Sequence, residues 1–278
     1  MIVWLASYPK SGNTLLRSIL STYFYSSDGI YDFNYTYMIG QFPTRKQFDK
    51  FGLDSTNEQL VFKNFIKVQE MINSENKKIK FLKTHTQYFY NGDFKFTNGQ
   101  NSLCGIYIVR DPRNVIKSYA HHSGIDIQTM YKAFIDKDTC TALTEKHCKN
   151  FIGSWGSNYN SWKNLGKKVL VIKYEDLIFK KKTTLLKVFK FLDDFGFNSS
   201  NLDMIKLNKV IKTTEFEKMK ELEKKKTFIE SQIHPETGKR IPFFNLGSKN
   251  DWRKDLDEGI RKNIEDTFEK EMKELGYL

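Results

Sequence analysis

Cysteine is scarce in this 278-residue chain, which carries three: Cys104, Cys140 and Cys148. They cannot all pair within the chain and none belongs to a CxxC pair, so neither a disulfide framework nor a zinc site is indicated, and a reducing compartment fits. Long hydrophobic runs are absent, and no apolar stretch approaches the ~18–20 residues of a membrane span. The opening Met1-Ile2-Val3-Trp4-Leu5-Ala6 is too short for a signal-peptide core and has no basic lead-in. These absences predict a cytoplasmic protein with no stable membrane insertion. Internal repeats and low-complexity linkers are missing too, which predicts a single domain over residues 1–278.

Hydrophobic residues make up 39% and charged residues 28%, a balance suited to a packed globular core rather than a disordered chain. Aromatic residues reach 15%, so core and pockets should be rich in rings. Forty-five Lys and Arg against 33 Asp and Glu leave a net charge of +12, which favours an anionic partner. Nucleic acid, an acidic membrane and a polyanionic small molecule all satisfy that charge. The basic residues are scattered, however, and the clusters Lys180–Lys182 and Lys224–Lys226 read as solvated helix faces, so a nucleic-acid role is not predicted.

Ile2–Ser7, Lys80–Thr84, Gly105–Val109 and Val169–Lys173 read as short buried strands. Helical patterns follow or precede them at Thr14–Tyr25, Glu58–Asn73, Arg113–His122 and Thr183–Leu192. Asp111 suits an N-cap and Pro112 a first helical position. Strand–turn–helix units repeated in this way predict a three-layer α/β fold with a central parallel sheet flanked by helices. Ligands in such sheets sit at the carboxyl ends of strands. Residues 27–57, with Tyr31, Phe33, Tyr35 and Tyr37, read as an aromatic insertion walling a pocket. Residues 212–250 begin as a charged helix and end in a loop with Gly238, Pro242 and Gly247; they read as a mobile cover with few apolar anchors. A last helix is predicted from about Leu256 to Leu275.

After the first strand comes Ser7-Tyr8-Pro9-Lys10-Ser11-Gly12-Asn13-Thr14. A short loop entering a helix N-terminus offers free amides and a favourable dipole to an anion. It has the length of a Walker A loop but not its chemistry: Asn13 stands where the Walker lysine belongs, and the loop's lysine, Lys10, lies three positions earlier. Read by itself, the segment has a lesser alternative as a capped helix, with Ser11 or Asn13 as the cap.

Tyr8-Pro9-Lys10-Ser11-Gly12-Asn13-Thr14 resembles the 5′-phosphosulfate loop of the sulfotransferase family, especially its cytosolic and bacterial members. Lys83-Thr84-His85 resembles the segment bearing that family's catalytic histidine. Val109-Arg110-Asp111-Pro112-Arg113-Asn114-Val115, with Ser118 eight residues beyond Arg110, resembles its 3′-phosphate motif. Tyr174-Glu175-Asp176-Leu177 is similar to the adenine-side tyrosine segment, and Thr214-Glu215-Phe216, Gly247 and Asp251-Trp252-Arg253 to the closing elements. The resemblance implies a P-loop-like fold and transfer of a sulfuryl group from 3′-phosphoadenosine-5′-phosphosulfate (PAPS), with release of PAP. The acceptor would be a hydroxyl or amine on a small molecule, lipid or glycan.

What the resemblance implies for single residues agrees with their chemistry. His85 would be the general base, since an acceptor hydroxyl must lose its proton as it attacks sulfur. Lys10 and Lys83 would supply catalytic positive charge, with Lys10, Ser11, Gly12, Asn13 and Thr14 cradling the 5′-phosphosulfate. Arg110 and Ser118 would hold the 3′-phosphate; Arg110 read alone could instead pair with Asp111 or Glu175. Tyr174, Thr214, Phe216 and Gly247 would enclose the adenine side. Arg113 and His122 read as structural, and His121, His147 and His234 lack a functional context. No metal-ligand cluster is present, and the resemblance implies no metal.

Three positions depart from the family pattern. Leu15 stands where a tryptophan usually packs on adenine. Asn245-Leu246-Gly247 replaces Arg-Lys-Gly in the closing loop, leaving Lys249, or Lys239 and Arg240, as candidate substitutes. The dimerisation motif of animal cytosolic members is not recognisable, so the oligomeric state stays open. The competing readings are a P-loop kinase, with Asp176 imitating a Walker B carboxylate, and a non-enzymatic basic binding protein.

Overall fold

The computed structural model describes residues 1–75, 78–92, 94–197 and 201–278. Five parallel strands form its centre: β1 (Ile2–Ser7), β2 (Gly40–Gln41), β3 (Lys80–Thr84), β4 (Ser102–Val109) and β5 (Val169–Lys173), in the order β2-β3-β1-β4-β5. All six residues of β1 are buried, as a strand covered on both faces requires. Its alternate side chains enter two different cores. Ile2, Trp4 and Ala6 pack with Phe42, Phe65, Phe96, Trp155, Trp162 and Phe268. Val3 and Leu5 face Leu16, Ile19, Leu20, Leu185, Val188 and Leu207 on the other side. The predicted three-layer arrangement is therefore present.

The helices that matter for the site are α1 (Asn13–Tyr25), α2 (Pro112–Ser123), α3 (Lys181–Asp193) and α4 (Phe216–Lys225). α2 starts as its sequence dictates, with the Asp111 carboxylate accepting from Arg113 N and Pro112 at the first position. Two predicted helices are interrupted. The first is Glu58–Lys63 and Phe65–Ser74, broken at Asn64, whose side-chain amide donates to Leu60 O at 2.8 Å and competes with the backbone. The second is Glu258–Thr267 and Glu269–Glu274, turning at Phe268, whose ring packs on Phe134 and Trp155.

Residues 216–247 do not lack apolar anchors. Met219, Phe228 and Phe244 form a third buried cluster with Tyr31 and Phe33. A charged helix surface concealed this, because the anchoring rings lie beyond α4 in segments without periodicity. Tyr31 and Phe33 thus hold the cover and do not wall the cavity described below; Tyr37 does line it, and Tyr35 does not. No helix among the described residues is long and apolar enough to cross a membrane.

Candidate active site

A cavity of about 800 Å³ opens at the carboxyl ends of β1, β3 and β4, where the strand-to-helix turns converge. The turn after β1 is shaped by backbone. Gly12 adopts φ +101°, and a Cβ there would lie 2.4 Å from the Tyr174 ring, so only glycine fits. Lys10 also sits in the left-handed region, at φ +62°. Asn13 Nδ2 ties the turn back to its strand through Leu5 O at 2.8 Å and Ser7 Oγ at 3.2 Å. Asn13 therefore braces the loop with its amide nitrogen. Gly12 has no side chain with which to cap α1, so the first-turn amides remain for a ligand. Among the described residues, Ser11 Oγ, Asn13 Oδ1, Arg17 Nε and Arg110 Nε are buried here without a hydrogen-bond partner, the mark of a site built to receive something polar. Ser11 lies under the loop and, unlike Lys10, Gly12, Asn13 and Thr14, does not line the cavity wall.

Arg110 ends β4 under the same loop. Its Nη1 donates to Lys10 O at 3.2 Å and approaches Ser118 Oγ at 3.4 Å, and the guanidinium lies 4.3 Å from the centre of the Tyr174 ring. The alternative pairing with Asp111 or Glu175 is not what forms. Asp111 is bound by Arg113, which also reaches Glu265 and Tyr277 O and so anchors α2 to the C-terminal helices, the structural role expected of it. Glu175 accepts from Asp111 N and the Tyr277 hydroxyl. Asn250 adds a group the sequence reading missed: its Nδ2 donates to Ser118 Oγ at 3.1 Å, and its Oδ1 is buried without a partner. Lys249, Lys239 and Arg240 do not line the cavity, whereas Asn250, Lys117 and Lys181 do.

His85 follows β3. Its Nδ1 lies 2.8 Å from Ser7 O, and because a carbonyl can only accept, Nδ1 carries the proton and Nε2 is left as a proton acceptor. Asn158 Nδ2 holds the His85 carbonyl at 2.9 Å. Burial, and then the neighbouring Lys83, push the imidazole down to about 3, so it is neutral throughout the physiological range. Lys83 is buried beside it, its ammonium 3.3 Å from Glu230 Oε1. Lys10 is half-buried, with Nζ 3.9 Å above the Phe243 ring. Burial lowers Lys10 to about 7; Glu230 opposes the shift, and Lys83 and Arg110 add to it.

The cover closes over these groups. Gly247, at φ +57°, lies so close to Phe216 that a Cβ would come within 2.6 Å of the ring. The Glu223 carboxylate accepts from Phe243 N at 2.7 Å and Phe244 N at 2.9 Å, pinning the closing loop to α4. Thr214 is buried with its hydroxyl turned back onto Val210 O, so it lines the cavity without a free donor.

The structure thus brings Lys10, Gly12, Asn13, Thr14, Lys83, His85, Arg110, Ser118, Tyr174, Thr214, Phe216 and Gly247 around one cavity. It adds Arg17, Glu230, Phe243 and Asn250, and also His122, which lines the cavity instead of serving only the fold. Arg17 was detectable in principle, being one helical turn after Thr14; nothing local marks Glu230 or Phe243. Asp176 is outside the cavity and pairs with Lys180, so it does not act as a Walker B carboxylate here.

A family model described as the sulfotransferase domain matches residues 2–276. The flavonol 3-sulfotransferase of Flaveria bidentis is 24% identical over 99% of this chain and 83% of its own length. The luciferin sulfotransferase of Photinus pyralis is 23% identical over 98% of this chain and 72% of its own. A mouse sulfotransferase complexed with PAP has a similar fold, with a TM-score of 0.61 and 20% identity over 98% of this chain and 84% of that one. A retinol dehydratase in complex with androsterone and the inactive cofactor PAP follows at a TM-score of 0.58 and 16% identity, covering 98% and 80%. With the family's domain spanning nearly its whole length, this chain belongs to the sulfotransferase family.

Proposed function

We propose that this sulfotransferase uses PAPS as donor and a hydroxyl or amine of a small-molecule, lipid or glycan acceptor, with His85 as general base. The carrying observation is the 2.8 Å approach of His85 Nδ1 to Ser7 O, which leaves Nε2 of a neutral ring as the acceptor, in a cavity shared with an uncapped helix N-terminus and with Lys10 and Lys83. In the step, the acceptor proton passes to Nε2, the acceptor oxygen bonds to sulfur, and the bond from sulfur to the 5′-phosphate oxygen breaks. The charge left on that oxygen falls to Lys10 and the α1 amides, and the sulfonate oxygens to Lys83. Arg110, Ser118 and Asn250 take the 3′-phosphate; Tyr174 and Phe216 flank adenine, with Leu15 below it. Gly12, Asn13 and Thr14 form the 5′ cradle, and Thr214 and Gly247 help to enclose the adenine side.

The relatives named for flavonols and for luciferin support a small acceptor bearing a ring hydroxyl. Tyr37, Ile39, Ile125 and Ile127 on this chain's cavity wall suit such a ring. The test is transfer of labelled sulfonate from PAPS to a panel of phenols, alcohols and amines, with His85→Ala beside the wild type. Loss of the base lowers turnover by roughly 10²–10⁴ and leaves PAP affinity near its wild-type value. Near wild-type turnover in the variant removes His85 from the mechanism.

A further inference from the structure

The cover carries a carboxylate into the anion site. Glu230 lies five residues beyond α4, between Phe228 and Ser231, both buried. One of its oxygens is 2.7 Å from Arg17 Nη2 and 3.3 Å from Lys83 Nζ; the other accepts from Thr14 Oγ1 at 2.9 Å. These partners come from α1 and β3, more than 140 residues away in sequence. A carboxylate taken out of water is costly unless it is paired, and two cations and a hydroxyl meet that need. Being already doubly paired, Glu230 has no charge to spare for a cationic acceptor. Its effect falls on the groups it holds.

We propose that Glu230 is the positioning residue for Lys83: a counter-charge carried on the cover, which fixes the buried ammonium at the sulfonate end of the cavity. The catalytic cation is then complete only when the cover is seated. The proposal rests on the reading of Lys83 as a sulfonate contact. Charged and titratable groups surround Lys83 on every side: Arg17 from α1, Lys10 from the phosphate loop, His85 at the end of its own strand, and His122 and His147 across the cavity. All but Glu230 are cationic or neutral. Burial pulls the Lys83 ammonium towards deprotonation, and Glu230 is the largest opposing influence. Without it, Lys83 sheds its proton at a lower pH and the sulfonate loses its partner.

The test is PAPS affinity measured by calorimetry from pH 6 to 9.5 at fixed ionic strength. The proteins are wild type, Glu230→Gln, Glu230→Asp, Lys83→Met and the Gln/Met double variant, each first shown to melt cooperatively. The Gln variant is expected to bind PAPS no more weakly than wild type at pH 6. As pH rises its affinity should fall progressively below wild type, by at most about tenfold per pH unit, because without the carboxylate Lys83 sheds its proton at a lower pH. The Asp variant lies between, and carries the comparison if the Gln variant does not fold. In the Lys83→Met background the Gln substitution loses most of this effect, although Lys10 titrates in every protein. Tighter PAPS binding by the Gln variant at every pH would make Glu230 a mere competitor of the nucleotide and overturn the proposal. Equal pH shifts in both backgrounds would overturn it by assigning the effect to Lys10. If the wild type fails to bind PAPS, or Lys83→Met leaves its preference for PAPS over PAP unchanged, the underlying reading of Lys83 falls and the proposal with it.

Discussion

Binding of PAP should draw a proton onto Lys10. In the free protein, desolvation of this ammonium, 3.9 Å over the Phe243 ring, lowers it to about 7, with the charges of Lys83 and Arg110 adding to the shift. At pH 8 it is therefore about one-tenth protonated. A 5′-phosphate at ~4 Å adds about 4 kcal/mol of attraction per unit charge at an effective dielectric constant of ~20, enough to return the ammonium to its ordinary range near 10. Calorimetry at pH 8 in buffers of different ionisation enthalpy should then report uptake of ~0.9 proton per PAP, because the phosphates, with a second pKa of about 6, release none at that pH. Affinity should decline by roughly tenfold per pH unit above 7. The same shift fixes the stability of the free protein. The unfolded chain keeps the Lys10 proton to 10.5 and the folded one only to about 7, so stability rises with pH between those values, and PAP cancels that rise. Lys10→Arg, which cannot titrate, should remove most of the uptake. Uptake below about 0.3 proton at pH 8, or uptake unchanged in Lys10→Arg, would refute the argument.

Arg110→Ala should weaken PAP by about 1.5–3 kcal/mol and 5′-AMP far less, since only PAP carries a 3′-phosphate; equal losses would give Arg110 to the fold or to the other phosphate. Gly247→Ala forces an L-residue into φ +57° and a Cβ onto Phe216, so PAP affinity should drop and the melting temperature fall by an amount corresponding to at least about 1 kcal/mol, read by calorimetry and thermal melting.

Local chemistry carried most of the fold into the sequence. β1, β3 and β5 begin and end where their β-branched and apolar runs do, and the Asp111–Pro112 start of α2 is a backbone rule visible in two letters. Lys10, Lys83, His85, Arg110 and Tyr174 were legible for the same reason, since each lies within a few positions of a strand end, whereas Ser118, Thr214, Phe216 and Gly247 were reached only through the family resemblance. The remainder of the site was not. Glu230 and Phe243 reach Thr14, Lys83 and Lys10 from the far side of the chain, and no periodicity aims them there. The charged surface of α4 suggested a loosely held segment, yet Phe228 and Phe244 beyond it bury against Phe33, a contact set by tertiary packing. The tautomer of His85 depends on Ser7 O, 78 residues distant, and could be seen only once β1 and β3 were paired.

The most direct test of the central claim is the melting temperature of the protein with PAP, 5′-AMP, or ADP with magnesium, all at one concentration, about a hundred times the dissociation constant of PAP. A ligand at that excess adds about 2.7 kcal/mol to folding stability. The uncapped helix entry, the unpartnered Arg110 and Asn250 atoms and the Ser118–Asn250 pair predict the largest shift with PAP, without added metal, and a smaller one with 5′-AMP. A larger shift with ADP and magnesium than with PAP would contradict the account.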